Sequence, residues 1–203
     1  MIKKRYGKDF WIGFKEISDG RFHKLINEYE DIGTSMFAFN YAYAPGYVAW
    51  YKTMEELGLH AHERDVLMLL MNEKMLLTVP RPLLHMVGKS YMNGMRKNSR
   101  EHIRRQKNEQ LHEFDWTVDY QDVDEERFTI KITDCGFIKY AKKYNATGML
   151  PAICQVDYMI AHYMHVGFSR TQTLGAGCSC CDGCYAMHGE CSWNIEQRLQ
   201  ERR

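Results

Sequence analysis

Seven cysteines occur in this 203-residue chain, and five of them fall between Cys178 and Cys191. An odd count clustered in this way argues for reduced thiols rather than a disulfide framework. Two chemistries are open to such a cluster. Cys178, Cys181 and Cys184 have the spacing Cys-x2-Cys-x2-Cys, with Cys191 or His188 as a fourth donor. If those sulfurs turn to a common centre, soft thiolates select zinc or an iron–sulfur cluster. If they instead alternate along a strand, only some reach a pocket, and Cys181 stays available as a nucleophile.

Further candidates lie upstream. Cys154 and Asp157 are three residues apart on an expected helix, so both can face one cavity. Asp157 sits between Val156 and Tyr158, and a buried carboxylate needs a partner. Arg170, on an expected strand among aromatic and apolar residues, is that partner or else a clamp for a substrate carboxylate. Cys135 precedes a short expected helix. His162 and His165 lie three apart, near enough for one to act as a base. Gly175-Ala176-Gly177 reads as a tight turn or a small anion nest, without the spacing of a nucleotide loop.

The elements that must position these residues divide into two parts. Residues 1–20, with Phe10, Trp11 and Phe14, read as a loose lead-in. From Arg21 an apolar stripe of Phe22, Leu25, Ile26, Tyr29, Met36 and Phe37 has helical period, interrupted by Gly33 and ended by Pro45-Gly46. Helices are expected over 47–57, with Gly58 as C-cap, and over 62–77. After Pro80 and Pro82 a fourth helix carries Leu84, Val87, Tyr91 and Met95 on one face. The basic run from Arg96 to Lys107 reads as the solvated end of that helix. Past His112 the period becomes two, with a hairpin over 114–120 and 128–132 around an acidic turn at 122–126. Short helices are expected over 137–144 and 150–164, a third strand over 165–174, and a fourth beyond Gly183. The fold class is therefore α+β: a helical N-terminal part packed with a small antiparallel sheet, helices on one sheet face. One domain is expected over 1–203, with a helical subregion at 21–107 and a site-bearing subregion at 112–203.

Composition narrows the partners. Twenty-seven Lys and Arg against 26 Asp and Glu leave a formal charge of +1, so no broad basic field invites nucleic acid. No apolar run is long enough to span a bilayer, and no apolar segment follows the basic start Met1-Ile2-Lys3-Lys4-Arg5, so a cytoplasmic location is expected. The expected partner is a small carboxylate-bearing molecule.

Taken together, Cys135, Cys154 with Asp157, Arg170-Thr171-Gln172-Thr173-Leu174, Gly177 and Cys181-Asp182 resemble the C-terminal half of the L-2-amino-thiazoline-4-carboxylic acid hydrolase family. The resemblance covers mainly residues 135–182. Gly183 stands where that family usually has Phe, among the additional cysteines 178, 180, 184 and 191. The resemblance implies hydrolysis of a non-peptide carbon–nitrogen bond in a small cyclic amidine or thiazoline, yielding a carbamoylated cysteine. In that reading Arg170 anchors the carboxylate, Cys181 attacks the amidine-like carbon, and Asp157 or Asp182 moves the proton, with Cys154 and Cys135 at the remaining matching positions. A water activated by a metal on the same Cys, Asp or His residues is the alternative.

Overall fold

The computed structural model describes residues 2–201. Six helices come first: α1 (Ile2–Tyr6), α2 (Lys8–Asn27), α3 (Ala38–Tyr41), α4 (Ala44–Glu56), α5 (Ala61–Leu76) and α6 (Arg81–Lys107). Then follow β1 (Thr117–Asp122), β2 (Arg127–Asp134), α7 (Gly136–Lys143), α8 (Leu150–Ile153), α9 (Val156–Met164), β3 (Gly167–Ser169), β4 (Cys181–Ala186) and α10 (Ile195–Gln200). The four strands form one antiparallel sheet in the order β1-β2-β4-β3. This is the α+β arrangement the periodicity predicts. No helix among the described residues is long and apolar enough to cross a membrane.

The element boundaries follow local chemistry. Gly58 ends the first long turn after α4 at φ 78°, a conformation that favours glycine. The Glu63 carboxylate accepts from the His60 N–H at 3.3 Å, half of a capping box that starts α5. The hairpin turn is fixed by Asp124, whose Oδ1 accepts from the N–H groups of Glu126 and Arg127 at 2.9 and 2.7 Å. Arg96 ties that turn to α6, donating to the carbonyls of Asp124 and Glu125 at 2.5 Å. The basic run is thus partly spent on the hairpin: Arg96 and Arg100 both pair with Asp122.

One sheet face is core and the other is open. Val118, Phe128 and Ile130 are buried, while Asp119 and Lys131 between them are exposed. Helix α6 lies along β1, and its Gln106 treats that edge strand as a further strand would. Gln106 donates to the Val118 carbonyl at 3.1 Å and accepts from the Val118 N–H at 2.9 Å. His102, fully buried, holds the Trp116 carbonyl at 2.9 Å. Helix α6 also crosses α9 closely. A Cβ at Gly88 would lie 2.3 Å from the Met164 carbonyl oxygen, so only glycine lets the two backbones approach.

Several sequence expectations need correction. The lead-in forms α1 and the start of α2, joined at Gly7, and Phe14 is buried because it faces inward from α2. The stripe expected to run helically to Phe37 stops at Asn27, after which the chain has no helix until Ala38. Pro45-Gly46 lies in the first turn of α4, where proline's missing N–H costs nothing. On α6 the buried side is Leu84, Gly88 and Met92, whereas Val87 and Tyr91 lie toward the opening. The helix expected over 150–164 breaks at Cys154-Gln155 into α8 and α9. The strand expected over 165–174 is only Gly167–Ser169, and the last strand begins at Cys181 rather than beyond Gly183.

Candidate active site

The break between α8 and α9 frees a backbone acceptor. Tyr158 N–H bonds to Gln155 rather than to Cys154, so the Cys154 carbonyl leaves the helical ladder. Arg170, just past β3, takes it at 2.5 Å through Nη2. Its Nη1 lies 3.3 Å from Asp157 Oδ2, in the first turn of α9. The guanidinium stacks between Tyr158 and Phe168, 5.7 Å from each ring centroid, and its side chain is only 7% exposed. The Tyr158 hydroxyl donates back to the Arg170 carbonyl at 3.1 Å. Of the two readings for Arg170, the pair with Asp157 is present.

Asp157 itself lies deep in the protein mass, yet 43% of its side-chain surface remains open. That combination describes the wall of a recess. Burial pushes its carboxyl up, and the Arg170 charge only partly opposes this. Two phenols share the recess, Tyr91 from α6 and Tyr185 from β4. Burial, and then the Asp157 charge, push both upward, so both remain protonated donors.

Cys181 opens β4 on the core face and is 8% exposed. The Leu174 N–H donates to its sulfur at 3.3 Å, and the Thr173 hydroxyl lies 3.4 Å from the sulfur, where either atom can be the donor. Donors of this kind are what a sulfur anion needs. Burial pushes Cys135 up to about 12, and burial also pushes Cys154 up against the lowering charge of Arg170. Cys154 lines a cleft of about 160 Å³ with Pro151, Gln155, Thr173, Gly175 and Ala176. That volume suits a small metabolite, being below the roughly 300–1,000 Å³ of drug-sized sites. A Cβ at Gly175 would sit 2.6 Å from the Cys154 sulfur, so glycine is needed for the turn to close over it.

Asp182 does something different from its neighbour. It points to the opposite sheet face and accepts from Thr171 N–H at 2.9 Å, the Thr171 hydroxyl at 2.5 Å and Gln172 N–H at 2.7 Å. Burial raises this carboxyl, but those hydrogen bonds outweigh it and hold it below the usual carboxylate range. Asp182 therefore shapes the 171–173 segment that delivers Thr173 and Leu174 to Cys181.

Of the two geometries open to the clustered cysteines, β4 takes the alternating one for Cys181 and Cys184. Cys181 and Cys184 are three apart on a strand and so face opposite sides of the sheet. Cys178 is exposed, and the buried Cys191 sulfur lies 3.9 Å from the Phe168 carbonyl. No three His, Cys, Asp or Glu among the described residues are grouped to hold a metal ion. On the extended chain of β4 a two-residue spacer separates the Cys181 and Cys184 sulfurs rather than gathering them. His188 is exposed. The two candidate bases have other roles: His162 Nδ1 lies 2.8 Å from the Cys191 carbonyl, and His165 ends α9 at φ 52° with its ring 3.7 Å from His85.

The structure thus brings Cys135, Cys154, Cys181, Asp157 and Arg170 into one region and leaves Asp182 behind it. The Asp157 carboxylate acts on Arg170, and Cys154 and Cys181 lie within electrostatic reach of the same guanidinium. A family model described as L-2-amino-thiazoline-4-carboxylic acid hydrolase matches residues 40–185. The chain belongs to that family. Searches of curated proteins and of solved structures return no match. The matched range takes in helices α4, α5 and α6 as well as the segment carrying the site. In this member of the hydrolase family, sequence reasoning missed Tyr91 and Tyr185. Tyr185 had a signal, since it alternates with Cys181 on one strand face. Tyr91 had none, since α6 reaches the recess only through its crossing with α9.

Proposed function

We propose that this hydrolase opens a small carboxylate-bearing cyclic amidine or thiazoline at a carbon–nitrogen bond, with Cys181 as nucleophile. The observation that carries the proposal is the Cys181 sulfur held by the Leu174 N–H and in contact with the Thr173 hydroxyl, beside the Asp157–Arg170 pair. Cys135 and Cys154, pushed up by burial, stay neutral thiols and serve as lining. Arg170 has N–H groups beyond its two bonds and supplies the positive field that draws the substrate carboxylate. Asp157, made more basic by burial, receives the Cys181 proton directly or through water.

The step balances as follows. The sulfur bonds to the amidine carbon while the proton from the thiol passes through Asp157 to the ring nitrogen. The carbon–nitrogen bond then breaks as the exocyclic amino group becomes an imine, its released proton completing the leaving amine. Water then adds to the same carbon, one of its protons going to the imine nitrogen. The carbon–sulfur bond to Cys181 breaks as a carbonyl forms, and the thiol regains its proton. One ring and one water become one open-chain carbamoylated cysteine. The test uses 2-amino-thiazoline-4-carboxylate. Cys181→Ala should lose at least about 100-fold in kcat with an unchanged melting temperature, consistent with the loss of a nucleophile. Mass spectrometry of quenched wild-type protein should find the adduct on the peptide containing Cys181. Turnover by Cys181→Ala near the wild-type rate refutes the assignment.

A further inference from the structure

Strand β4 places Cys181, Gly183 and Tyr185 on one face, at successive steps of about 6.6 Å. Gly183 has no side chain there, and the Tyr185 ring leans back over it. A Cβ at Gly183 would meet Tyr185 Cε2 at 2.9 Å, Phe168 Cε2 at 3.3 Å and the Tyr185 hydroxyl oxygen at 3.3 Å. The phenol oxygen therefore stands above residue 183, one strand step from Cys181, and not above its own Cα. The ring is fixed from both sides: it stacks on Phe128 at 5.2 Å and 9°, and lies 4.9 Å from Phe168.

Several other tyrosine hydroxyls are already engaged. Tyr158 donates to the Arg170 carbonyl, Tyr163 to Glu73 and Tyr120 to Asp122. The Tyr185 hydroxyl has no hydrogen-bond partner among the described residues. The strand step that separates residue 183 from Cys181 is of the length a reacting group needs. A carbon poised for attack sits about 3–3.5 Å from the sulfur. The nitrogen bonded to that carbon takes a hydrogen bond of about 2.9 Å on its far side. With the carbon–nitrogen bond of about 1.3 Å between them these lengths exceed about 7 Å along a line, and bending at carbon and nitrogen brings them to about one strand step.

We propose that the Tyr185 phenol is the hydrogen-bond donor to the leaving ring nitrogen, and that Gly183 is its positioning residue. The inference rests on the ring-opening reading above. It also narrows the substrate class: the small ring must present an acceptor nitrogen next to the carbon that Cys181 attacks. The phenol stays protonated because burial raises it, so it donates rather than accepts.

The experiment compares wild type, Tyr185→Phe, Gly183→Ala and the double variant on 2-amino-thiazoline-4-carboxylate. Tyr185→Phe keeps both ring contacts, so its melting temperature should match wild type. Its kcat should fall about 100-fold, the loss typical of one donor to a reacting atom, with KM within about threefold. Gly183→Ala touches no substrate but pushes the ring aside, so its kcat should fall at least about tenfold. In the Tyr185→Phe background the added alanine should cost less than about threefold, because the group it displaces is gone. Wild-type turnover with Tyr185→Phe within twofold overturns the donor assignment and leaves the ring-opening reading standing. Losses that multiply in the double variant overturn the positioning role of Gly183. A wild-type protein that neither binds nor opens the probe overturns the ring-opening reading and this inference with it. If Gly183→Ala does not fold, Tyr185→Phe alone decides the donor.

Discussion

Replacing Arg170 with Met is the perturbation that most directly tests how the recess is held together. Two interactions disappear. The Cys154 carbonyl, released by the break between α8 and α9, loses a charged donor at 2.5 Å, which costs about 1.5–3 kcal/mol. Asp157 loses its partner at 3.3 Å, but with 43% of its side chain open this pair is screened and contributes about 0.5–1 kcal/mol. The Met stem fills the space between Tyr158 and Phe168, so the cavity cost is small. The total is about 3 kcal/mol, which for a chain of this size lowers the melting temperature by about 6–12 °C. The loss depends on pH with a definite sign. Arg170 lowers an Asp157 carboxyl that burial raises, so removing it raises that carboxyl further in the folded state. A carboxyl with a folded pKa above its unfolded value costs stability when ionised, and the cost vanishes as pH falls below the unfolded value. The deficit of Arg170→Met should therefore shrink between pH 7 and pH 4. Urea unfolding of both proteins at the two pH values measures this. A deficit under about 0.5 kcal/mol at pH 7, or one that grows on acidification, refutes the role assigned to Arg170.

Two other substitutions probe the supports of the site. Asp182→Ala removes the acceptor of three hydrogen bonds, two of them to N–H groups that water can reach, and should cost about 1–2 kcal/mol at pH 7. Because the folded carboxyl is held low, that contribution is present above the unfolded value near about 4 and is lost as pH falls through the folded one. Acid titrations of wild type and Asp182→Ala should converge at low pH, and a gap that persists below pH 2 counts against the assignment. Gly88→Ala forces a Cβ to within 2.3 Å of the Met164 carbonyl and should cost about 1–2 kcal/mol net, overpacking outweighing the better helix propensity. Gly94→Ala on the same helix meets nothing within 4 Å and should stabilise by up to about 1 kcal/mol. Equal thermal shifts for the two alanines would show that the α6–α9 crossing is not as tight as described.

The sequence carried the periodicities, and these determine a good part of the molecule. Alternation of Val118, Phe128 and Ile130 with polar residues set the hairpin, and helical spacing set α5 and most of α6. Both patterns are local, written within a few turns or strand pairs. Asp157 with Cys154 and Arg170 was legible by residue type and spacing, while Cys135 and Cys181 were joined to them by the resemblance to the family. Decisions that depend on what lies across the chain were not legible. The spacing of Cys178, Cys181 and Cys184 fits a metal loop or a strand equally well, and only pairing with β2 makes it a strand that splits the sulfurs between two faces. Asp157 and Asp182 look alike as carboxylates, yet burial beside Arg170 raises one, and three donors lower the other. The helix over 150–164 breaks where a distant guanidinium pays for a free carbonyl. Tyr91 enters the recess through the approach at Gly88, a contact between residues more than seventy positions apart. Sequence spacing fixes which side chains share a face, but burial, partner and pKa belong to the packed interior and arise only when the elements meet.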